Sequence, residues 1–373
     1  MNSAEPLEET EEFVPTTTAE MTVPQQLNKR FARVRQSVGA LERVLLHGPR
    51  KYSRRDLEEI QGVPEALSAQ YWRGMGFGGI EHDTAVFTDE DAEAIGDLTA
   101  LVEEGAISED TFVNFARGFG FHMGRLAMWL TEALVDEAKA GGKLSDSQAR
   151  MLMLERTPEL IETFEQQVLY AFRRQLASYT ARAGSEILRS VGEDWGDEAM
   201  PLPRAIAFAD LVQFTRLAQS VDGFELADVI KDFEGVCRDI ISEGGGRVVK
   251  TVGDEIMFLA DTPEDGVRIA LSIAETIETN PELPKVRVGL AWGHMFSRYG
   301  DVFGPKVNLA ARLEGIAQPG AVVVDGDTAD AIDRSFPGGF RRKAEWTEEL
   351  AGIGDVRAVE LERAAASLIV VDR

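Results

Sequence analysis

The chain has 373 residues, room for two domains that each bury a core, and its 44% hydrophobic and 28% charged content is ordinary for a soluble globular protein. Asp and Glu number 64 against 39 Lys and Arg, a formal charge of −25, and a field of that sign opposes binding to nucleic acid or anionic membranes. One cysteine, Cys237, excludes an internal disulfide and suits a reducing compartment, and no apolar run is long enough to span a bilayer, so a cytoplasmic protein is expected.

The acidic start "MNSAEPLEETEEF" lacks signal-peptide character, and residues 1–27, rich in Glu, Thr and Pro, predict a disordered acidic tail. Residues 28–190 carry helical periodicity with little strand signal. "SRRDLEEIQGVPEALSAQYWRGMGF" (53–77) reads as helix, glycine turn, helix. "FTDEDAEAIGDLTALVEEG" (87–105) is a further helix, with Thr88 as N-cap and Asp91 three residues on. "SEDTFVNFARGFGFHMGRLAMWLTEALVDEA" (108–138) continues the pattern. Its stripe Phe112, Phe115, Phe119, Met123 and Met128 reads as packed core, the other reading being the lining of an apolar-ligand pocket. Over 157–190 the apolar positions Phe164, Val168, Phe172, Leu176, Tyr179, Ala183 and Ile187 step by three or four and mark one face of a connecting helix.

Residues 191–202, with Gly, Pro and acids, read as a linker, and beyond them the texture changes. "RAIAFAD" predicts a strand, "DGFELADVIKDFEGVCRDIISEGG" a helix with Cys237 at a core position, and "RVVKTVGDEIMFLA" a hairpin. A helix ("PEDGVRIALSIAETIE") and a strand ("KVRVGLAWG") complete a β-α-β-β-α-β order. The expected fold class is therefore α+β: a ferredoxin-like antiparallel sheet with helices on one face, preceded by an all-α domain. The helix "KVNLAARLEGIA", the strand "AVVVDG" and a β-rich segment extend it, and 364–373 form a tail.

Asp210 ends the first strand and Asp254 stands at the hairpin tip, and this topology brings strand end and tip to one sheet edge. Two carboxylates there make a hard oxygen site suited to Mg²⁺ or Mn²⁺, two ions of which could activate a hydroxyl and stabilise a departing phosphate. The backbone N–H groups of Leu211, Val212, Gln213, Phe214 and Thr215, turning into a helix, are placed to hold a polyphosphate. A helix-capping Asp and a β-turn Asp are the plain alternatives. Asn308 and Arg312, four apart in "DVFGPKVNLAAR", share a helix face; such a pair can serve a phosphoryl transition state or be a solvated surface.

Together "FADLVQFT", "KTVGDE" and "DVFGPKVNLAAR", in this order, resemble the class III nucleotidyl cyclases over about residues 203–363. The resemblance implies Asp210 and Asp254 as metal ligands, Asn308 and Arg312 as catalytic residues acting at the transition state, Asn308 through the ribose, and Lys250 and Asp301 as the purine readers. A lysine only donates and an aspartate only accepts, so this pair matches N1 and the N6 amino group of adenine and mismatches guanine. ATP is then the substrate, and cyclic AMP and pyrophosphate the products, by in-line attack of the ribose 3′-OH. In this family the site lies between two catalytic domains, which implies a homodimer. Many relatives carry a longer arm where this chain has "MFSRY", and many a triphosphate-contacting lysine where it reads "EELAGIGDV"; Arg341, Arg342 and Lys343 are the candidate substitutes.

The stretch from Tyr52 through "FTDEDAEAI" resembles a MerR-like helix-turn-helix. Whole cyclases of the actinobacterial type resemble this layout, which implies a regulatory role for 28–190, open to a small effector. The alternative is a non-catalytic ATP-sensing regulator that binds DNA; the filled set of six residues and the chain's charge oppose it. A diguanylate cyclase would carry GG[DE]EF where this hairpin reads "TVGDEIMF".

Overall fold

The structure, a computed structural model, describes residues 23–190, 203–221 and 223–364, and it divides into two compact units at Tyr179/Thr180. Among the described residues no helix is long and apolar enough to cross a membrane.

The first unit is helical: α1 (Val23–Leu45), α2 (Arg54–Gln61), α3 (Glu65–Gly74), α4 (Asp89–Glu103), α5 (Glu109–Lys139) and α6 (Asp146–Ser190), the last running on into the second unit. Two helix starts are locked by reciprocal capping boxes, Ser53 with Asp56 and Thr88 with Asp91, each satisfying donors that the first turn leaves without partners. Gly62 ends α2 in the left-handed conformation (φ 68°), which turns the chain into α3. Leu57, Trp72, Phe87, Ile95, Phe112 and Ala116 form the core, and a single bridge joins Tyr52 to Phe87. Three cations along this stretch are already paired with acids: Lys51 to Asp89 at 2.6 Å, Arg54 to Glu58 at 3.2 Å and Arg55 to Asp83 at 2.8 Å.

Three sequence expectations need correction here. Residues 23–27 of the expected tail belong to α1, while residues 1–22 lie outside the described residues. The connecting helix does not start at 157 but at Asp146, and Pro158 sits inside it. Of the aromatic and methionine stripe only Phe112 is core; Phe115, Phe119, Met123 and Met128 are exposed. α3 packs on the face of α5 marked by Phe112, Ala116 and Gly120, which leaves Phe115 and Phe119 off that face, and α3 ends at Gly74 beside Gly120, so Met123 and Met128 lie beyond its reach. Phe172, Leu176 and Tyr179 on α6 are exposed as well.

The second unit holds β1 (Pro203–Leu211), α7 (Phe214–Ser220), α8 (Gly223–Glu243), β2 (Arg247–Val252), β3 (Glu255–Ala260), α9 (Pro263–Thr279) and β4 (Val286–His294). There follow β5 (Phe296–Arg298), β6 (Asp301–Phe303), α10 (Pro305–Ile316), β7 (Val322–Asp325), α11 (Gly326–Ser335), β8 (Phe340–Leu350) and β9 (Gly354–Arg363). Seven strands form one sheet in the order β2-β3-β1-β4-β7-β9-β8, antiparallel except between β4 and β7, and β5 pairs with β6 alone. The expected linker at 191–202 and the tail from 365 lie outside the described residues.

Central strand β1 is covered on both faces, which is why it reads as an almost unbroken apolar run. Ala205, Ala207 and Ala209 meet Phe233, Cys237 and Ile240 of α8 and Ile269 and Ile273 of α9. Ile206 and Phe208 point the other way, toward Leu309, Ala310 and Leu313 of α10. Helices therefore lie on both faces, against the one-faced arrangement expected from the strand order. α10 can reach the sheet because Gly289 of β4 has no side chain: a Cβ there would stand 2.0 Å from the Glu314 amide nitrogen.

Candidate active site

Asp210 lies near the C-terminal end of β1, in register with Glu255 of β3 on one side and Arg287 of β4 on the other. By strand alternation it faces α10, as do Glu255 and Arg287. The hairpin turn is closed by Val252 pairing with Glu255, and Gly253 takes φ 64°, the left-handed region open to glycine. The Leu211 amide donates to the Asp254 carbonyl at 3.2 Å, which pins the hairpin tip to the end of β1. The Asp254 carboxyl is thereby set within the electrostatic reach of Asp210. Arg287 donates to Asp210 from Nη2 at 2.7 Å and from Nε at 3.1 Å, and its Nε also lies 2.5 Å from Glu314 Oε1.

Acids crowded in this way resist ionisation. Burial raises the Asp254 carboxyl above its ordinary range and the neighbouring Asp210 adds to the effect, against its own backbone amide and Arg287. Glu255 is raised for the same reasons: burial, then Asp210 and Asp254. Burial lifts the Glu314 carboxyl to about 7, with Arg287 opposing and Asp210 and Glu255 reinforcing. Burial also works against the charge of Arg287, but its hydrogen bond to Asp210 and the charges of Glu314 and Asp254 prevail, so the guanidinium is held protonated more firmly than usual.

The donor set suits a hard divalent cation: the Asp210 and Asp254 carboxylates stand at the same end of the sheet and each feels Glu255 or Glu314 beside it. Among the described residues no group of three or more acids, histidines or cysteines closes on one position. The chain's share of a coordination shell would be Asp210 and Asp254, leaving the remaining positions to oxygens of water or substrate.

The second half of the site is built differently. β2 is the edge strand, and a bulge between Val248 and Lys250 shifts its register so that Lys250 opposes Met257. The β5–β6 hairpin turns through Tyr299 (φ 54°) and Gly300 (φ 79°), the two left-handed positions of a type I′ turn, and delivers Asp301. Lys250 Nζ donates to Asp301 Oδ2 at 2.6 Å, and the Val302 amide donates to Oδ1 at 2.9 Å. Burial disfavours the charge on Asp301, yet the Lys250 hydrogen bond and the Val302 amide outweigh it and hold the carboxyl below its usual range. Asn308 and Arg312 are exposed on α10, and no hydrogen bond or ion pair among the described residues joins them to another group. Asn308 lines a 640 Å³ groove with Phe303, Gly304, Lys306, Gly352 and Ile353. The start of α10 is anchored by Lys306, whose Nζ donates to the buried Asp325 at 2.9 Å.

The structure thus brings together Asp210 with Asp254 and Lys250 with Asp301, and keeps the two pairs without a shared contact among the described residues. The expected amide cradle needs correction: Leu211 N–H is taken by Asp254 and Val212 N–H by Lys285 O at 2.7 Å, because β1 continues its pairing to the end. Gln213, Phe214 and Thr215 remain at the first turn of α7. The candidate substitutes for the absent lysine are engaged elsewhere: Arg341 with Glu362, Arg342 with Asp330, Asp333 and Glu345, and Lys343 with Glu360. Sequence reasoning missed Arg287 and Glu314. Alternation along "KVRVGL" places Arg287 on the face of Gly289, the one signal available beforehand; nothing in the sequence says what lies across from it.

Residues 203–361 match the adenylate and guanylate cyclase catalytic domain family. An adenylate cyclase of Glutamicibacter nicotianae is 37% identical over 346 residues, covering 91% of this chain and 85% of that one. An adenylate cyclase of Streptomyces coelicolor is 36% identical over 299 residues, 79% of this chain and 75% of its own. A pH-sensitive adenylate cyclase of Mycobacterium tuberculosis is 29% identical over 322 residues, 84% and 78% of the two chains.

Proposed function

The chain belongs to the class III adenylate cyclases, and we infer that it converts ATP to 3′,5′-cyclic AMP and pyrophosphate at a site shared between two copies. The observation that carries the substrate is the pairing of Lys250 with Asp301 at 2.6 Å from positions 51 residues apart. A donor and an acceptor held side by side on the surface match the N1 acceptor and N6 donor of adenine, and guanine presents the reverse order. Two divalent cations, Mg²⁺ or Mn²⁺, when bound by Asp210 and Asp254, would supply activation of the ribose 3′-OH and charge neutralisation at the leaving pyrophosphate.

The remaining work falls to this chain's own groups. Asn308 orients the ribose by hydrogen bonding, and Arg312 stabilises the charge that builds on the α-phosphate as the 3′ oxygen attacks. The amides of Gln213, Phe214 and Thr215 face the polyphosphate. The exposure of Asn308 and Arg312, without hydrogen-bond or ion-pair partners among the described residues, supports a homodimer in which one copy supplies the carboxylates and the other Lys250, Asp301, Asn308 and Arg312. The lone buried Cys237 accords with a reducing, cytoplasmic setting.

The test of substrate is cyclic nucleotide formation from ATP and from GTP, side by side, with Mg²⁺ and with Mn²⁺; equal rates would defeat the reading of the base. The test of assembly mixes Asp254→Asn with Arg312→Ala protein, each inactive alone. Random pairing of copies restores one intact site in each mixed dimer, so activity should return to about a quarter of wild type. A mixture as inactive as its parents would place all the groups in one copy.

The helical unit is proposed to regulate the catalytic pair through α6, open to a small effector or, like the mycobacterial relative, to pH. Residues 200–373 and the full chain should then differ in rate or in pH profile; identical behaviour under every condition would remove the role.

A further inference from the structure

Arg287 stands between two carboxylates that come from different layers of the fold. Its Nη2 and Nε donate to Asp210 Oδ2 at 2.7 and 3.1 Å, while Nε sits 2.5 Å from Glu314 Oε1 and Nη1 lies 3.4 Å from the Gly315 carbonyl. The Glu314 contact is an ion pair that is not aligned as a hydrogen bond, so the buried Oε1 has no hydrogen-bond donor. An unsatisfied carboxylate oxygen, 8% exposed as a side chain, is costly unless a donor can reach it. Among the described residues the cation set against it is the guanidinium now shared with Asp210. Gly289, two residues along β4 from Arg287, lets the Glu314 backbone seat directly on the sheet, so the distance between the two groups is fixed by packing.

Asp210 is also, on the proposed reading, a ligand of a divalent cation. A guanidinium and a cation cannot hold the same Oδ2 lone pairs without repulsion between their charges. We propose that Glu314 is a positioning residue for the cation site: its carboxylate is a second seat for Arg287, and by drawing the guanidinium off Asp210 it frees that aspartate for the cation. A short swing of the Arg287 side chain exchanges one carboxylate for the other. Arg287 stays paired, and Glu314 Oε1 gains an aligned donor. Without Glu314, freeing Asp210 would strand a half-buried guanidinium, and the arginine would compete with the cation throughout.

The inference rests on the assignment of Asp210 and Asp254 as metal ligands, and its test separates the two. Mn²⁺ binding to the full-length protein without nucleotide is read by water-proton relaxation, with circular dichroism as a check on folding. Glu314→Gln should weaken binding about tenfold in the wild-type background and about threefold or less when Arg287 is Met, the excess being the part that acts through the arginine. Glu314→Asp keeps the charge but withdraws the carboxylate, and should weaken binding nearly as much as Gln does. Equal losses with and without Arg287, or an Asp variant that binds like wild type, would reduce Glu314 to a background charge and overturn the proposal. Wild-type protein that takes up no Mn²⁺, or an Asp254→Asn variant that binds it undiminished, would overturn the metal assignment itself.

Discussion

The two halves of the candidate active site are finished to different degrees. Asp210 and Asp254 sit where three strands and a hairpin turn converge, the hairpin tip pinned by the Leu211-to-Asp254 backbone bond and Asp210 already held by Arg287. Lys250, Asp301, Asn308 and Arg312 stand on an edge strand, a short hairpin and an exposed helix face, and Asn308 and Arg312 have no hydrogen-bond or ion-pair partner among the described residues. Charge explains the difference. Crowded carboxylates can be held only by a rigid frame that offsets their repulsion, whereas, on the proposed dimeric reading, groups that close on a substrate carried by another copy remain on the surface.

The largest effect that would sharpen this contrast is at the buried half. Asp254→Ala should lower turnover by about a thousandfold or more while leaving the melting temperature unchanged or raised, since it removes a cluster charge and no core contact; measurable cyclic AMP synthesis in the variant would break the assignment. On the exposed half, Arg312→Ala should lower kcat by about a hundredfold with little change in KM, the pattern of a contact made only in the transition state. Gly289→Ala joins the halves, because its Cβ would drive α10 off β4. It should cost about 2 kcal/mol in denaturant unfolding and at least roughly tenfold in rate as Asn308 and Arg312 shift.

Two smaller effects complete the series. Arg342→Met removes pairs with Asp330, Asp333 and Glu345 far from the acids and should change the rate by less than about twofold while lowering stability slightly; a rise in KM for ATP would instead make it the substitute for the absent lysine. The Asp301 carboxyl, held below its usual range in the folded chain, contributes stability that is present above the unfolded value and lost as pH falls through the folded one. Asp301→Asn should therefore destabilise slightly at neutral pH and not at all at strongly acidic pH, a difference readable by thermal melts across that window.

Strand alternation, turn residues and helix caps were legible because they are local: Thr88 with Asp91, Gly62, the hairpin around Gly253 and the β1 and β4 strands all follow from neighbours a few residues away. The second helical layer was not, since nothing within "KVNLAARLEGIA" says that it lies across the sheet from α8 and α9; Gly289, far off in sequence, decides it. The amides of Leu211 and Val212 were misjudged for a related reason, their partners Asp254 and Lys285 being brought in by other strands.

By itself the sequence determined the order of elements and the α+β class, because these rest on composition and on spacings of two to four residues, while the six candidate site residues were named by the resemblance of three motifs to the class III cyclases. Only the tertiary structure decided which charges meet: that Asp210 shares Arg287 with Glu314, that a bulge at Val249 and a turn at Tyr299–Gly300 put Lys250 on Asp301, and that Asn308 and Arg312 are left facing outward. Electrostatic pairing acts between groups separated by tens of residues, and it takes a packed sheet to bring them within reach.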